Sequence, residues 1–563
     1  MSRRLPPVSP SLLTLLVSVV LVLFYNGQFW TTLLAALPAR SGGDLLFLAS
    51  FGILLTVLFN MVLQLVPTRG LLKPTLVLGL LSAAMVSHFA ASYGTIIDRH
   101  MIASLLQTDL REARDLLGVP MFIRLLLLGV LPAVLVGLAP VKAQTWRRAA
   151  AARTGTVAAS AALLALMLWP SYQDYAFFLR EHRELGSMVN PATALIALVK
   201  FTMDEPLAAG PVQRIAGDVA RVESVGGARQ PTVVVLVLGE TARAASFSLN
   251  GYERPTNPQL SGLPVVSFSN VHSCGTSTAE SVPCMFSHLG RADYSAREAR
   301  ATENLLDILQ RAGLEVAWIE NNAGCKGVCE RVRTERTSHG TDESLCPAGE
   351  CRDEVMLEPL RRLVRAATRD TVIVMHMNGS HGPAYFRRYP DDFKAFAPTC
   401  ETSQLHNCPV DSVRNAYDNT ILYTDHILAD AIGVLEAESA RLDTAMLYVS
   451  DHGESLGEAA TWLHGLPYAI APEVQKHVPM IMWASTGYRD RQGLDFDCMQ
   501  ASRDAPLTHD HLFHSMLGLL NVRTNVYAPE LDFSAHCRDA AGGGAFRRAA
   551  REANRGAATQ AGG

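Results

Sequence analysis

TVVVLVLGETAR, residues 232–243, sets an unbroken β-branched run against an abrupt polar end. A strand with one wet face alternates apolar and polar residues. A run without alternation reads as a strand buried on both faces. Similar runs return at Glu315–Ile319, Thr371–His376, Ala445–Ser450 and Val478–Trp483. Helical stretches lie between them, such as Glu303–Ala312, Asp353–Ala367 and Asp411–Ala437. This order implies an α/β domain around a mostly parallel sheet, whose sites lie beyond the carboxyl ends of the strands. The chemically capable residues follow those ends: Gly239-Glu240-Thr241, Glu320-Asn321-Asn322, Asn378–Pro383 and Asp451–Glu454.

Upstream the composition changes. The 563-residue chain is 49% hydrophobic and only 18% charged, with mean hydropathy +0.15. That excludes a disordered chain. The near balance of 49 Lys+Arg against 53 Asp+Glu argues against nucleic acid as a partner. The apolar excess is concentrated in the first third. Five runs, at about residues 11–30, 45–66, 74–92, 121–140 and 156–171, read as membrane helices, the last short and Ala-rich. With the N-terminus inside, the cytoplasmic segments hold Arg3, Arg4, Arg69, Lys73, Lys142, Arg147, Arg148 and Arg153. The opposite loops hold only Arg40, Arg99, Arg111 and Arg114. Everything beyond the fifth run is then outside the cytoplasm.

The cysteines support that placement. All ten lie at or beyond Cys274, in the pairs Cys274/Cys284, Cys325/Cys329, Cys346/Cys351 and Cys400/Cys408, leaving Cys498 and Cys537. An even count outside the cytoplasm reads as disulfides joined in that pairing, with zinc ligation by the close pairs as the rival. The organisation expected is a transmembrane domain over 1–172, a connector over 173–230, an α/β domain over 231–540 and a disordered tail over 541–563. In the connector, Tyr172, Tyr175, Phe177 and Phe178 suit an interfacial helix, and Ala208–Gln230 a linker or mobile tether.

Asp451 beside His452 at a buried strand's end offers a hard oxygen and an imidazole, a mixture that suits zinc. Glu240 ends another such strand, and a buried carboxylate needs a partner. Ser273–Cys284 gathers hydroxyls ahead of a helix-like stretch running to Leu289. They read either as helix caps or as a nucleophile placed where the helix dipole favours an alkoxide and an incoming phosphate.

GETAR (239–243), NGYERPTNP (250–258), SCGTSTAESVPCMFS (273–287), NGSHGP (378–383), SDHGESLGE (450–458) and HGLPYAIAPEVQKHVP (464–479) closely resemble the phosphoethanolamine transferases of Gram-negative bacteria, above all the lipid A enzymes that include the mobile colistin-resistance proteins. The resemblance covers the whole chain, and implies a five-span α-helical transmembrane domain and an alkaline-phosphatase-like (sulfatase-like) α/β periplasmic domain. It implies Thr278 as nucleophile and Glu240, Thr278, Asp451 and His452 as ligands of one firm zinc site. His381 and His464 are implied to face the phosphate or a second metal, Asn322 and Lys326 to hold the phosphoethanolamine, and Thr108 and Glu112 to lie near its ammonium. In alkaline phosphatases a second zinc also takes a carboxylate four residues before the first of these histidines. That position is Met377, so the second metal is expected to be weak or substrate-dependent.

The implied reaction takes phosphoethanolamine from phosphatidylethanolamine, through a phosphothreonine-type intermediate, to a phosphate of lipid A. The added ammonium lowers surface negative charge and with it sensitivity to polymyxin. The same chemistry directed at a lipopolysaccharide core sugar or a periplasmic glucan is the alternative. A monomer in the bacterial inner membrane is expected, with membrane lipids around its anchor.

Overall fold

A computed structural model describes residues 6–37, 42–67, 70–107, 116–182, 184–204, 212–221, 230–338, 340 and 342–538. The chain forms two compact units, Met1–Ile102 with Leu117–Thr202, and Ala103–Leu116 with Met203–Gly563. Thr108, Glu112, much of the expected linker and the tail over 541–563 lie outside the described residues.

The first unit is helical. Among the described residues, four helices are long and apolar enough to cross a membrane: α3 (Gly42–Gln64), α4 (Leu72–Tyr93), α5 (Val119–Leu138) and α6 (Trp146–Glu181). The first apolar run does not form the single helix expected over 11–30. It is split into α1 (Pro10–Tyr25) and α2 (Gly27–Ala36), bent by 64°. Asn26 makes the break, because its side chain donates to Leu21 O at 2.9 Å and to Asn190 O at 2.9 Å, and accepts from Asn190 N at 2.7 Å. The last run also differs. α6 is 36 residues long, roughly 54 Å, and absorbs the first half of the expected interfacial helix, kinking at Ser171 after Pro170. A shorter apolar helix, α7 (Ala192–Asp204), exposes Leu195, Ile196, Leu198, Val199 and Met203.

The second unit is built on an eight-stranded sheet. Its strands are β1 (Thr232–Gly239), β2 (Val266–His272), β3 (Glu315–Glu320), β4 (Arg333–Arg336), β5 (Thr371–His376), β6 (Asp443–Ser450), β7 (His477–Ala484) and β8 (Leu507–Thr508). Their order is β8-β2-β7-β6-β1-β5-β3-β4, and only β7 runs antiparallel to its neighbours. The missing alternation in β1 has a direct cause. Val234, Leu236 and Leu238 enter one apolar core, Val233, Val235 and Val237 the other, and all six are buried. Each such side chain stabilises the fold by roughly 1.5–3 kcal/mol relative to exposure. The helix α8 (Leu305–Arg311) starts at a capping box of Asn304 and Asp307 and packs on the first core. The 28-residue α9 (Val410–Ala437) packs on the second. In-register pairing brings Gly239 level with Ser450, and Leu238 level with His376, which in turn pairs with Glu320. The loops after β1, β3, β5 and β6 therefore open on one edge. All five expected disulfides are formed, and no cysteine is free.

Candidate active site

Glu240, Asp451 and His452 leave adjacent strands and are all buried. Their ligand atoms lie within 4.8 Å of one another. His452 Nε2 is 3.4 Å from Glu240 Oε1 and 3.5 Å from Asp451 Oδ2. Thr278 completes the group from the first turn of a short helix (Thr278–Met285). Its Oγ1 donates to Glu240 Oε2 at 3.0 Å and lies 3.4 Å from His452 Nε2. Ser277, not Thr278, is the residue at the cap position, and it makes no capping bond. The hydroxyl of Thr278 is thus turned to the cluster rather than spent on the helix.

The donors are oriented as metal ligands are. His452 Nδ1 donates to Gly453 O at 2.9 Å, which fixes the ring and leaves Nε2 turned to the cluster. Asp451 Oδ1 accepts from Thr241 N at 3.1 Å and His452 N at 2.7 Å, while its buried Oδ2 has no hydrogen-bond partner. Thr241 Oγ1 bonds Glu240 Oε1, and Asn322 Nδ2 donates to Glu240 Oε2 at 2.8 Å. An unsatisfied buried carboxylate oxygen is costly, and a cation between these atoms removes that cost. The charges agree. Burial pushes Glu240 up, but the hydrogen bond and charge of His452 hold it well below the usual carboxylate range. Burial and Glu240 push Asp451 to about 6. Burial pulls His452 down, yet Asp451 and Glu240 raise it to about 10. The set draws a proton onto its imidazole, and a divalent metal competes for the same place. One imidazole with hard oxygens fits zinc.

Two further histidines border the cluster. The His464 ring centroid is 4.3 Å from that of His452 and 5.6 Å from that of His381. Glu454, a buried residue that closes the Asp451–Glu454 segment and to which sequence reasoning gave no role, lies 2.8 Å from His464 Nδ1 through Oε2 and bonds Tyr385 OH through Oε1. Burial raises its carboxyl to about 8. Its position two residues after His452 in an extended segment was the available signal. His509 was also missed. It ties Cys274 N to its Nδ1 and Ser450 O to its Nε2, both at 3.0 Å, joining the loop that leads to Thr278 to the end of β6. Lys326 sits between the bonded Cys325 and Cys329 and turns its Nζ to Ala323 O at 3.2 Å. Met377 is buried in the second core. Two other donor clusters among the described residues, Cys498/His536/Cys537 and Cys274/Cys284/Asp510, have their sulfurs committed to disulfides.

The sequence matches the family model described as Sulfatase over residues 232–522 and that described as Phosphoethanolamine transferase EptA/EptB over residues 55–205. It is 39% identical to phosphoethanolamine transferase EptA of Escherichia coli K12, covering 93% of this chain and 97% of that one. The chain belongs to the EptA family of phosphoethanolamine transferases. The transferase is also 39% identical to phosphatidylethanolamine transferase Mcr-1 of Escherichia coli, over 92% of this chain and 95% of the other. Its fold matches the integral membrane lipooligosaccharide phosphoethanolamine transferase A of Neisseria meningitidis with a TM-score of 0.91 at 36% identity, over 95% of this chain and all of that one. The expected fold class is therefore the observed one: a helical region with four to five candidate spans, and an alkaline-phosphatase-like α/β domain.

Proposed function

We propose that the transferase moves phosphoethanolamine from phosphatidylethanolamine to a phosphate of lipid A, by way of Thr278 and with zinc as cofactor. The observation that carries this reading is the meeting of Thr278 Oγ1 with Glu240 and His452 beside the unsatisfied Asp451 Oδ2.

Glu240, Asp451 and His452, with Thr278 Oγ1, are the residues that hold zinc. Bound there, zinc supplies positive charge that lowers the pKa of an oxygen ligand and neutralises phosphoryl oxygens. The chain supplies the rest. The Thr278 hydroxyl has a proton acceptor in place in Glu240 Oε2. Its oxygen bonds to phosphorus as the bond from phosphorus to the diacylglycerol oxygen breaks. That leaving oxygen takes a proton from His381 or His464, the two imidazoles bordering the cluster. Asn322 and Lys326 flank the phosphoethanolamine held on Thr278. An oxygen of a lipid A phosphate then attacks the same phosphorus, giving its proton to the imidazole that protonated diacylglycerol, as the bond from phosphorus to Thr278 Oγ1 breaks and Oγ1 takes its proton back from Glu240 Oε2. Both substrates are lipids, so a chain anchored in the inner membrane meets them in two dimensions, and a monomer suffices. The product carries an added ammonium, which weakens attraction for polymyxin.

The test is mass spectrometry of lipid A and of the core oligosaccharide from a susceptible host carrying the wild type or Thr278→Ala. Addition of phosphoethanolamine to lipid A by the wild type alone, with polymyxin survival, is the expected result. Addition by the Thr278→Ala variant sinks the nucleophile assignment, and addition to core sugar alone sinks the acceptor.

A further inference from the structure

The loop that carries His381 is held from both sides by residues with no part in the chemistry described above. On one side is Asp353, a buried carboxylate just past the Cys346–Cys351 disulfide. Its Oδ1 accepts from Asn378 N at 2.7 Å and from Asn321 Nδ2 at 2.9 Å, and its Oδ2 accepts from Gly379 N at 2.8 Å. On the other side Arg388 Nε donates to the carbonyl of His381 itself at 2.8 Å. The guanidinium of Arg388 is paired in turn with Glu350, which lies inside the Cys346–Cys351 loop. The disulfide-closed Cys346–Cys351 loop and the turn that follows it therefore present one carboxylate each, and the two grip the His381 loop at Asn378–Gly379 and, through Arg388, at His381.

The loop has little room to settle elsewhere. Gly379 has φ +52°, and a Cβ there would lie 2.7 Å from Glu240 O and 2.9 Å from Glu240 N. Ser380 N donates to Glu240 O at 3.0 Å. The loop is thus pressed against the backbone of a proposed zinc ligand, and the Asp353 contacts decide where along that backbone it rests. Backbone N–H groups bound to a carboxylate form charge-assisted hydrogen bonds, the stronger kind.

We infer that Asp353 and the Arg388–Glu350 pair are positioning residues for His381, holding its imidazole where it meets the leaving oxygen of the donor lipid. The inference rests on the proposed role of His381. Asp353→Asn keeps the volume but turns an amide N–H toward a backbone N–H. A misplacement of about 1 Å at a reacting group costs about 10²-fold in rate, and that is the loss expected in kcat, with KM for phosphatidylethanolamine within about twofold.

The experiment is a double-mutant cycle on the full-length protein in detergent, with single-turnover release of diacylglycerol as the readout. The variants are Asp353→Asn, His381→Gln and both together. A residue acting only through His381 has no further effect once His381 is gone, so the double variant is expected to be as slow as His381→Gln. Multiplicative losses, or an unchanged Asp353→Asn rate, overturn the inference. If Asp353→Asn lowers the melting temperature or zinc content, the cycle is run with Arg388→Lys, and the same outcomes decide. A parallel series with 4-nitrophenyl phosphoethanolamine, whose leaving group needs no proton, tests His381 separately. His381→Gln and Asp353→Asn should both recover there to within about threefold of wild type. If His381→Gln fails to recover, its role as acid falls, while the cycle still reports whether Asp353 acts through it.

Discussion

Gly453, between His452 and Glu454, is the position where the smallest substitution does the most calculable harm. A Cβ added there lies 2.0 Å from Val474 O and 3.0 Å from Val474 C, the first far inside any separation real Cβ atoms show. The obstacle is backbone, so no side chain can swing away. Two hydrogen bonds hold the facing segments at this point, Gly453 N to Gln475 O at 3.0 Å and Glu454 N to Val474 O at 2.9 Å. Relieving the overlap in Gly453→Ala parts them, at roughly 1 kcal/mol net for each bond. Displacing a packed segment adds roughly 1–3 kcal/mol, for a total on the order of 3–5 kcal/mol. At about 2 °C per kcal/mol for a domain of this size, the melting temperature should drop by on the order of 6–10 °C. The Gly453 carbonyl also fixes the His452 ring, so zinc affinity should fall roughly 10–100-fold. The assay is thermal melting, zinc-to-protein ratio and phosphatidylethanolamine turnover of the full-length protein in detergent. A variant that melts within about 1 °C of wild type and keeps its zinc refutes the claim that this close approach sets the ligand geometry.

Asn322→Ala removes the donor to Glu240 Oε2. It should weaken zinc roughly 10–100-fold in competition with a chelator, and equal affinity would count against Asn322 as the residue orienting Glu240. Exhaustive chelation should lower the melting temperature of the wild type, because a ligand bound only to the native state stabilises it, but leave His452→Ala unmoved; a wild type indifferent to chelation refutes zinc at this site. Burial holds the His509 imidazole down at about 3, against an ordinary 6.5. A depressed folded-state value means its contribution is whole above pH 6.5 and is lost as pH falls toward 3, an effect on the order of 4–5 kcal/mol when complete. His509→Gln should therefore melt lower than wild type at pH 7 but decline less steeply between pH 6.5 and 4, and parallel declines would refute the assignment.

What sequence reasoning reached and what it missed follow from how each feature is held. β1 was legible because burial on both faces leaves no period to read. β2 was not, because VSFSNVH interleaves Ser267, Ser269 and Asn270 with apolar residues next to the sheet's edge strand. The break in the first apolar run hides in hydropathy, since Asn26 acts through Asn190, far away in the chain. The same distinction divides the site. The proposed metal ligands Glu240, Asp451 and His452 follow strand ends and could be found there. Residues that hold them in place answer to no such rule. His509 reaches Cys274 across 235 positions and Asp353 reaches Asn378 across 25, and the type of neither residue suggests its partner. Motifs therefore report the chemistry a chain attempts, while its rate depends on contacts that only the folded arrangement reveals. A relative that keeps Thr278 and the three ligands but lacks a carboxylate at the place of Asp353 should bind zinc and form the covalent intermediate slowly from phosphatidylethanolamine. Labelling of the threonine from 4-nitrophenyl phosphoethanolamine at normal speed, but from the lipid about 10²-fold slower, is the pattern that separates a misplaced acid from a broken site.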